Sequence, residues 1–140
     1  MSLSLRRKIA LELDRRRQDA QIEEHRLTQL FWECTMRCNL NCLHCGSDCR
    51  VQSDLSDMQL DVFLHVLDNI AQHQDPHDTF IILTGGEPLL RSDIELCGRA
   101  INQREFPWGI VTNGHLLSED LLGRASVFRQ HVLILVLKED

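Results

Sequence analysis

Four apolar runs of strand type alternate with segments of helical period along most of this chain. Residues 79–84, Thr79-Phe80-Ile81-Ile82-Leu83-Thr84, form the clearest run. It is continuous and rich in β-branched residues, the pattern of a strand covered on both faces in a parallel sheet. Shorter runs occupy 30–32, 108–111 and 132–137. Between the first two, Ser56-Asp57-Met58-Gln59 has the form of a capping box. Leu60, Phe63, Leu64, Leu67, Ile70 and Ala71 follow at helical spacing, which predicts a helix to about His73. A second box, Ser92-Asp93-Ile94-Glu95, opens a helix with Ile94, Cys97 and Ile101 on one side. Ser118, followed by Glu119 and Asp120, opens a third helix. This order predicts an α/β fold of βαβ units, with about four parallel strands and three crossover helices. In such folds the loops after the strands gather on one face, where sites are built.

Ahead of the first strand, residues 3–26 read as a charged helix with Leu5, Ile9 and Leu13 along one side. The expected organisation is a helical extension over 1–27 and an α/β domain over 28–140. Residues 1–30 carry seven basic and five acidic side chains, against eight and sixteen in 31–140. An acidic body argues against nucleic acid as a partner, the clusters Arg6-Arg7-Lys8 and Arg15-Arg16-Arg17 being the contrary feature. The longest apolar run is the six residues 132–137, far short of the ~20 that span a bilayer. No secretory signal is legible, so a reducing cytoplasm is the expected setting.

In that setting clustered thiols hold metal or do chemistry more often than they form disulfides. Five of the six cysteines fall in one stretch, as Cys34, Cys38, Cys42, Cys45 and Cys49. Three thiolates from one short loop can hold three corners of an iron–sulfur cube and leave the fourth iron open. Zinc is the competing metal, although its structural sites favour paired knuckles far apart in sequence and a closed set of four ligands. Gly85-Gly86-Glu87-Pro88 follows the strongest strand. Its paired glycines allow a close approach to the backbone, and Glu87 offers an acceptor to an amine; alternatively it is a turn that ends the strand.

Together these motifs resemble those of the radical S-adenosylmethionine (SAM) superfamily. Cys38-x3-Cys42-x2-Cys45 after the first strand matches its cluster motif, and Gly85-Gly86-Glu87-Pro88 after the second matches its SAM-binding motif. The stretches Trp32-Glu33-Cys34-Thr35-Met36-Arg37-Cys38-Asn39-Leu40 and Ile110-Val111-Thr112-Asn113-Gly114 are also similar to that family. The resemblance implies a partial (β/α) barrel. It implies a [4Fe-4S] cluster on Cys38, Cys42 and Cys45, whose open iron chelates SAM. Gly85, Gly86, Glu87 and Pro88 would receive the SAM amino group, His44 would sit beside the adenine, and Thr112 and Asn113 would complete the cofactor site. Reductive cleavage of SAM to a 5′-deoxyadenosyl radical is the implied chemistry. A flavodoxin- or ferredoxin-like electron donor is implied with it, and a peptide or protein is the expected substrate.

Cys34 reads as a buried strand-end residue and Cys97 as core. Cys49 is either a further buried residue or a contact to substrate or an auxiliary centre. His65, His73, His77, His115 and His131 form no ligand spacing. Relatives of this kind have more βα units, and many continue after the fourth strand with Ser-Leu-Asp-Gly where this chain reads Val136-Leu137-Lys138-Glu139-Asp140. A truncated member is therefore expected, with one sheet edge unpaired and the SAM site open to water. The alternative is a catalytically silent iron–sulfur or zinc-binding fragment that serves as an interaction module.

Overall fold

The computed structural model describes residues 4–24, 26–43, 45–47, 49–51, 53–118 and 132–136. The N-terminal helix α1 is Leu5–Glu24. The strands are β1 Gln29–Thr35, β2 Phe80–Gly85, β3 Trp108–Thr112 and β4 Val132–Val136. Helix α2, Leu60–Ala71, crosses from β1 to β2, and α3, Ile94–Asn102, crosses from β2 to β3. The sheet order is β1-β2-β3-β4 and every pairing is parallel, so spatial order follows chain order. The expected parallel α/β architecture is thus observed. The helix expected from Ser118 runs into residues outside those described, as do His44, His131 and residues 137–140.

Each crossover helix buries one stripe on the sheet. Phe63 and Leu67 of α2 and Cys97 and Ile101 of α3 meet Trp32, Ile81, Leu83, Trp108 and Ile110 of the strands, with Phe106 closing the core. Trp32 stacks on Phe63, their ring centroids 3.9 Å apart. Leu67, Ile81 and Leu83 are fully enclosed, and truncating a side chain of that kind to alanine costs about 2–5 kcal/mol. Helix α1 stays largely exposed, its Glu12 bonded to Arg15 and Arg16 on its own surface.

Both expected capping boxes are absent. Helix α2 starts at Leu60, and neither its N-cap Gln59 nor Asp93, the N-cap of α3, makes a side-chain cap bond. Their acids are engaged elsewhere: Asp57 pairs with Arg37 at 2.6 Å, and Asp93 holds Arg91 through two bonds of 2.7 and 2.9 Å. A charge-assisted bond to a guanidinium is stronger than a cap to a backbone amide. Arg91 is almost fully buried, donates also to Cys34 O and Met58 O, and lies 5.2 Å from the Trp32 ring centroid. It joins the end of β1, the approach to α2 and the start of α3.

Candidate metal and cofactor site

Parallel strands deliver their C-terminal ends to one side of the sheet, and three loops meet there. Strand β1 ends in a bulge, where the register with β2 slips between Glu33 and Thr35. Such an irregularity re-aims the chain, and here it buries Cys34 and Thr35 consecutively. Beyond it, the described residues between Cys38 and Arg50 lie in a loop that closes on its own start. Cys38 N donates to Arg50 O at 2.8 Å, and Arg50 N donates to Met36 O at 3.3 Å. A tight turn inside the loop carries Cys45 N to Cys42 O at 3.2 Å, and the Leu40 amide donates to Cys38 Sγ at 3.5 Å.

The turn after β2 docks directly on this loop. Gly86 N donates to Thr35 O at 2.7 Å and Glu87 N to Arg37 O at 2.8 Å. A Cβ added at Gly85 would lie 2.3 Å from Thr35 O, and one at Gly86 2.1 Å from Arg37 O; Gly85 also has φ +109°. The backbone that these glycines admit at their Cβ positions is therefore the exit of β1. The same turn lines a cavity of about 310 Å3 together with Cys38, Cys42, Cys45, Cys49, Thr112 and Asn113. That volume is within the range of small-molecule sites, roughly 300–1,000 Å3.

The structure therefore brings Cys38, Cys42, Cys45, Gly85, Gly86, Thr112 and Asn113 to one cavity, whereas Glu87 and Pro88 are absent from its described lining. Glu87 is fully buried and accepts three bonds: from Leu89 N at 3.0 Å, from Thr112 Oγ1 at 2.7 Å and from Asn113 N at 2.8 Å. Its carboxylate ties the β2 turn to the end of β3. A second link runs from Asn113 Nδ2 to Asn39 Oδ1 at 2.8 Å, joining β3 to the cysteine loop.

Among the described lining residues, the side chains able to bind metal are four thiols with hydroxyl and amide groups, and no carboxylate or imidazole joins them. That donor set suits a soft or iron–sulfur centre. Among the described residues no three His, Cys, Asp or Glu groups converge at single-ion distances. The thiols share a cavity wall, an arrangement that fits a cluster in which each thiolate holds its own iron. Cys34 and Cys97 are buried among the core residues, outside the described lining. Burial pushes the Cys34 thiol up to about 12 and Cys97 up to about 11. Cys49 is also raised to about 11, by burial first and then by its neighbours Cys45 and Cys38.

A parallel βαβ sheet with a cysteine loop after its first strand and a diglycine turn after its second defines an α/β protein with a thiol-lined cavity. The family model described as "Radical SAM superfamily" matches residues 32–129, and the chain belongs to that family. The superfamily uses a [4Fe-4S] cluster and SAM. The AdoMet-dependent heme synthase of Methanosarcina barkeri is 33% identical over 93 residues, which cover 66% of this chain and 26% of the relative. The PqqA peptide cyclase of Granulibacter bethesdensis is 31% identical over 96 residues, 68% of this chain and 25% of the relative. The crystal structure of Streptococcus suis SuiB bound to precursor peptide SuiA shares the fold, with TM-score 0.61 and 17% identity over 97% of this chain and 30% of SuiB. The chain thus spans about a quarter of the length of these curated relatives.

Proposed function

We propose that this chain holds the cluster- and SAM-binding part of a radical SAM enzyme acting on a peptide or protein. Cys38, Cys42 and Cys45 ligate the [4Fe-4S] cluster. Gly85 and Gly86 offer backbone to the methionine end of SAM, Thr112 and Asn113 border the same space, and His44 flanks the adenine. Glu87 and Pro88 act one step back, by holding that backbone in place. A cluster and SAM held there would supply one-electron chemistry, the reductive cleavage of SAM to methionine and a 5′-deoxyadenosyl radical able to take hydrogen from a C–H bond. The protein's part is placement: the loop closed by Arg50 presents the thiols, and the Leu40 amide lowers electron density on Cys38 Sγ, which tunes the potential. A flavodoxin- or ferredoxin-like protein in a reducing cytoplasm supplies the electron. Among the described residues no helix is long and apolar enough to cross a membrane.

The observation that carries this reading is the shared cavity of the three motif cysteines with Gly85 and Gly86. The peptide substrate is supported by the likeness to PqqA peptide cyclase. A tetrapyrrole substrate is the second reading, favoured by the likeness to the heme synthase. Anaerobic reconstitution tests the cofactor reading: roughly four irons and four sulfides per chain are expected, with a spectrum that shifts on adding SAM. Zinc without iron overturns it. Release of 5′-deoxyadenosine under dithionite separates an enzyme from a silent cluster-binding module.

A further inference from the structure

Of the three cysteines outside the motif, Cys34 and Cys97 belong to the hydrophobic core, and Cys49 alone lines the cavity. It is only 6% exposed, so it is held at this position by the fold. The hold is the closure of the loop on itself: Arg50 bonds to Met36 O and Cys38 N, which returns the chain to its own beginning and sets Cys49 beside Cys38 and Cys45. Its Sγ makes a long, weak bond to Ser47 O at 3.6 Å. The cavity therefore carries four thiols on one closed loop. Four cysteines are the ordinary complement of a [4Fe-4S] cluster.

We infer that Cys49 is an exchangeable fourth ligand: its thiolate holds the iron left open by Cys38, Cys42 and Cys45 while SAM is absent, and yields that iron to the amino and carboxylate groups of SAM. On ligation Cys49 releases its thiol proton to water, and on displacement it takes one back. No iron changes oxidation state in the exchange. Cys49 thereby keeps the open corner from water and from iron loss until the cofactor arrives. This inference rests on the cluster reading above.

The test compares the full chain with Cys49→Ala and Cys49→Ser after anaerobic reconstitution. Each is exposed to mild ferricyanide, and the three-iron species is followed by electron paramagnetic resonance. Losing even an outer-shell partner typically costs ~10–100-fold in metal affinity, so Cys49→Ala is expected to shed its fourth iron about tenfold faster or more. Cys49→Ser, nearly isosteric in a buried position, gives the same comparison if the alanine variant does not fold. SAM added to the native chain should abolish the difference, since it takes the same iron. Equal rates of iron loss in loaded native and variant chains overturn the role of Cys49 and leave the cluster reading standing. Failure of the native chain to take up a cluster overturns both.

Discussion

Thr112 donates its hydroxyl hydrogen to Glu87 Oε1 across 2.7 Å, and both residues are buried. With Asn113 N on the other carboxylate oxygen at 2.8 Å, this pair fastens the end of β3 to the turn after β2. Replacing the acceptor should release one wall of the cavity from the next. Glu87→Gln keeps one oxygen and turns an amide NH2 toward an N–H donor, so a loss of about 2 kcal/mol is expected, and Glu87→Ala should lose more. Urea denaturation at neutral pH measures both, and a midpoint unchanged in Glu87→Ala would contradict this function for the carboxylate.

The glycines should rank by what a side chain meets. Gly86→Ala drives a methyl into Arg37 O and should separate the cysteine loop from the β2 turn, with a loss of several kcal/mol or failure to fold. Gly98→Ala meets the Trp108 ring at 2.5 Å and should cost about 1–3 kcal/mol through overpacking. Gly46→Ala meets nothing within 4 Å and should leave the thermal midpoint nearly unchanged. Thermal melts of the three variants give the order directly.

Thiol reactivity in the cluster-free chain should divide by burial. A thiol pushed up to about 12, as Cys34 is, holds on the order of 10⁻⁴ of its population as thiolate at pH 8. Cys45 is exposed and should be alkylated first by iodoacetamide, with Cys34 and Cys97 last. Raising the pH toward 11 should bring Cys97 in before Cys34. Peptide mass spectrometry after timed alkylation reads the order, and early labelling of Cys34 would contradict its buried position.

Acid should weaken the Arg91 hub. The guanidinium holds the Asp93 carboxyl below its ordinary value of 3.8. A carboxyl lowered by folding contributes stability that is in place above that ordinary value and is lost as pH falls through the lower folded one. The native chain should therefore lose stability as the pH falls below 3.8, and Arg91→Ala should show a smaller acid-dependent loss. At neutral pH that variant should already be down by about 3 kcal/mol, because Cys34 O and Met58 O lose their donor. Denaturation midpoints at neutral and acid pH decide it.

The strands were legible as apolar runs and the crossover helices α2 and α3 by their helical period, although β2 is not covered equally on both faces as its continuous run suggests: Ile81 and Leu83 are enclosed, whereas Phe80 and Ile82 are half-buried. The starts of α2 and α3 were not legible. The expected boxes make Ser56 and Ser92 the caps, but the helices begin behind Gln59 and Asp93; Asp57 of the first box meets Arg37, 20 residues away, and Asp93 of the second meets Arg91, two residues away. The site shows the same division. The clustering of five cysteines marked the loop, the resemblance to the radical SAM motif singled out Cys38, Cys42 and Cys45, and the diglycine marked the facing turn. That the space at Gly85 and Gly86 is taken by Thr35 and Arg37 depends on a contact about fifty residues away in sequence. Glu87 looked like a ligand for an amine, and the structure engages its carboxylate with Leu89, Thr112 and Asn113. Cys49 did carry a signal: three residues separate it from Cys45, as three separate Cys38 from Cys42.

Because neighbours in the sheet are also neighbours in the chain, each strand can be laid down beside the one before it as synthesis proceeds. The sulfur-bearing bend, the turn that clasps it and the buttress at Asn113 all precede β4. A nascent polypeptide can therefore complete this sulfur-walled hollow while later residues are still emerging from the ribosome.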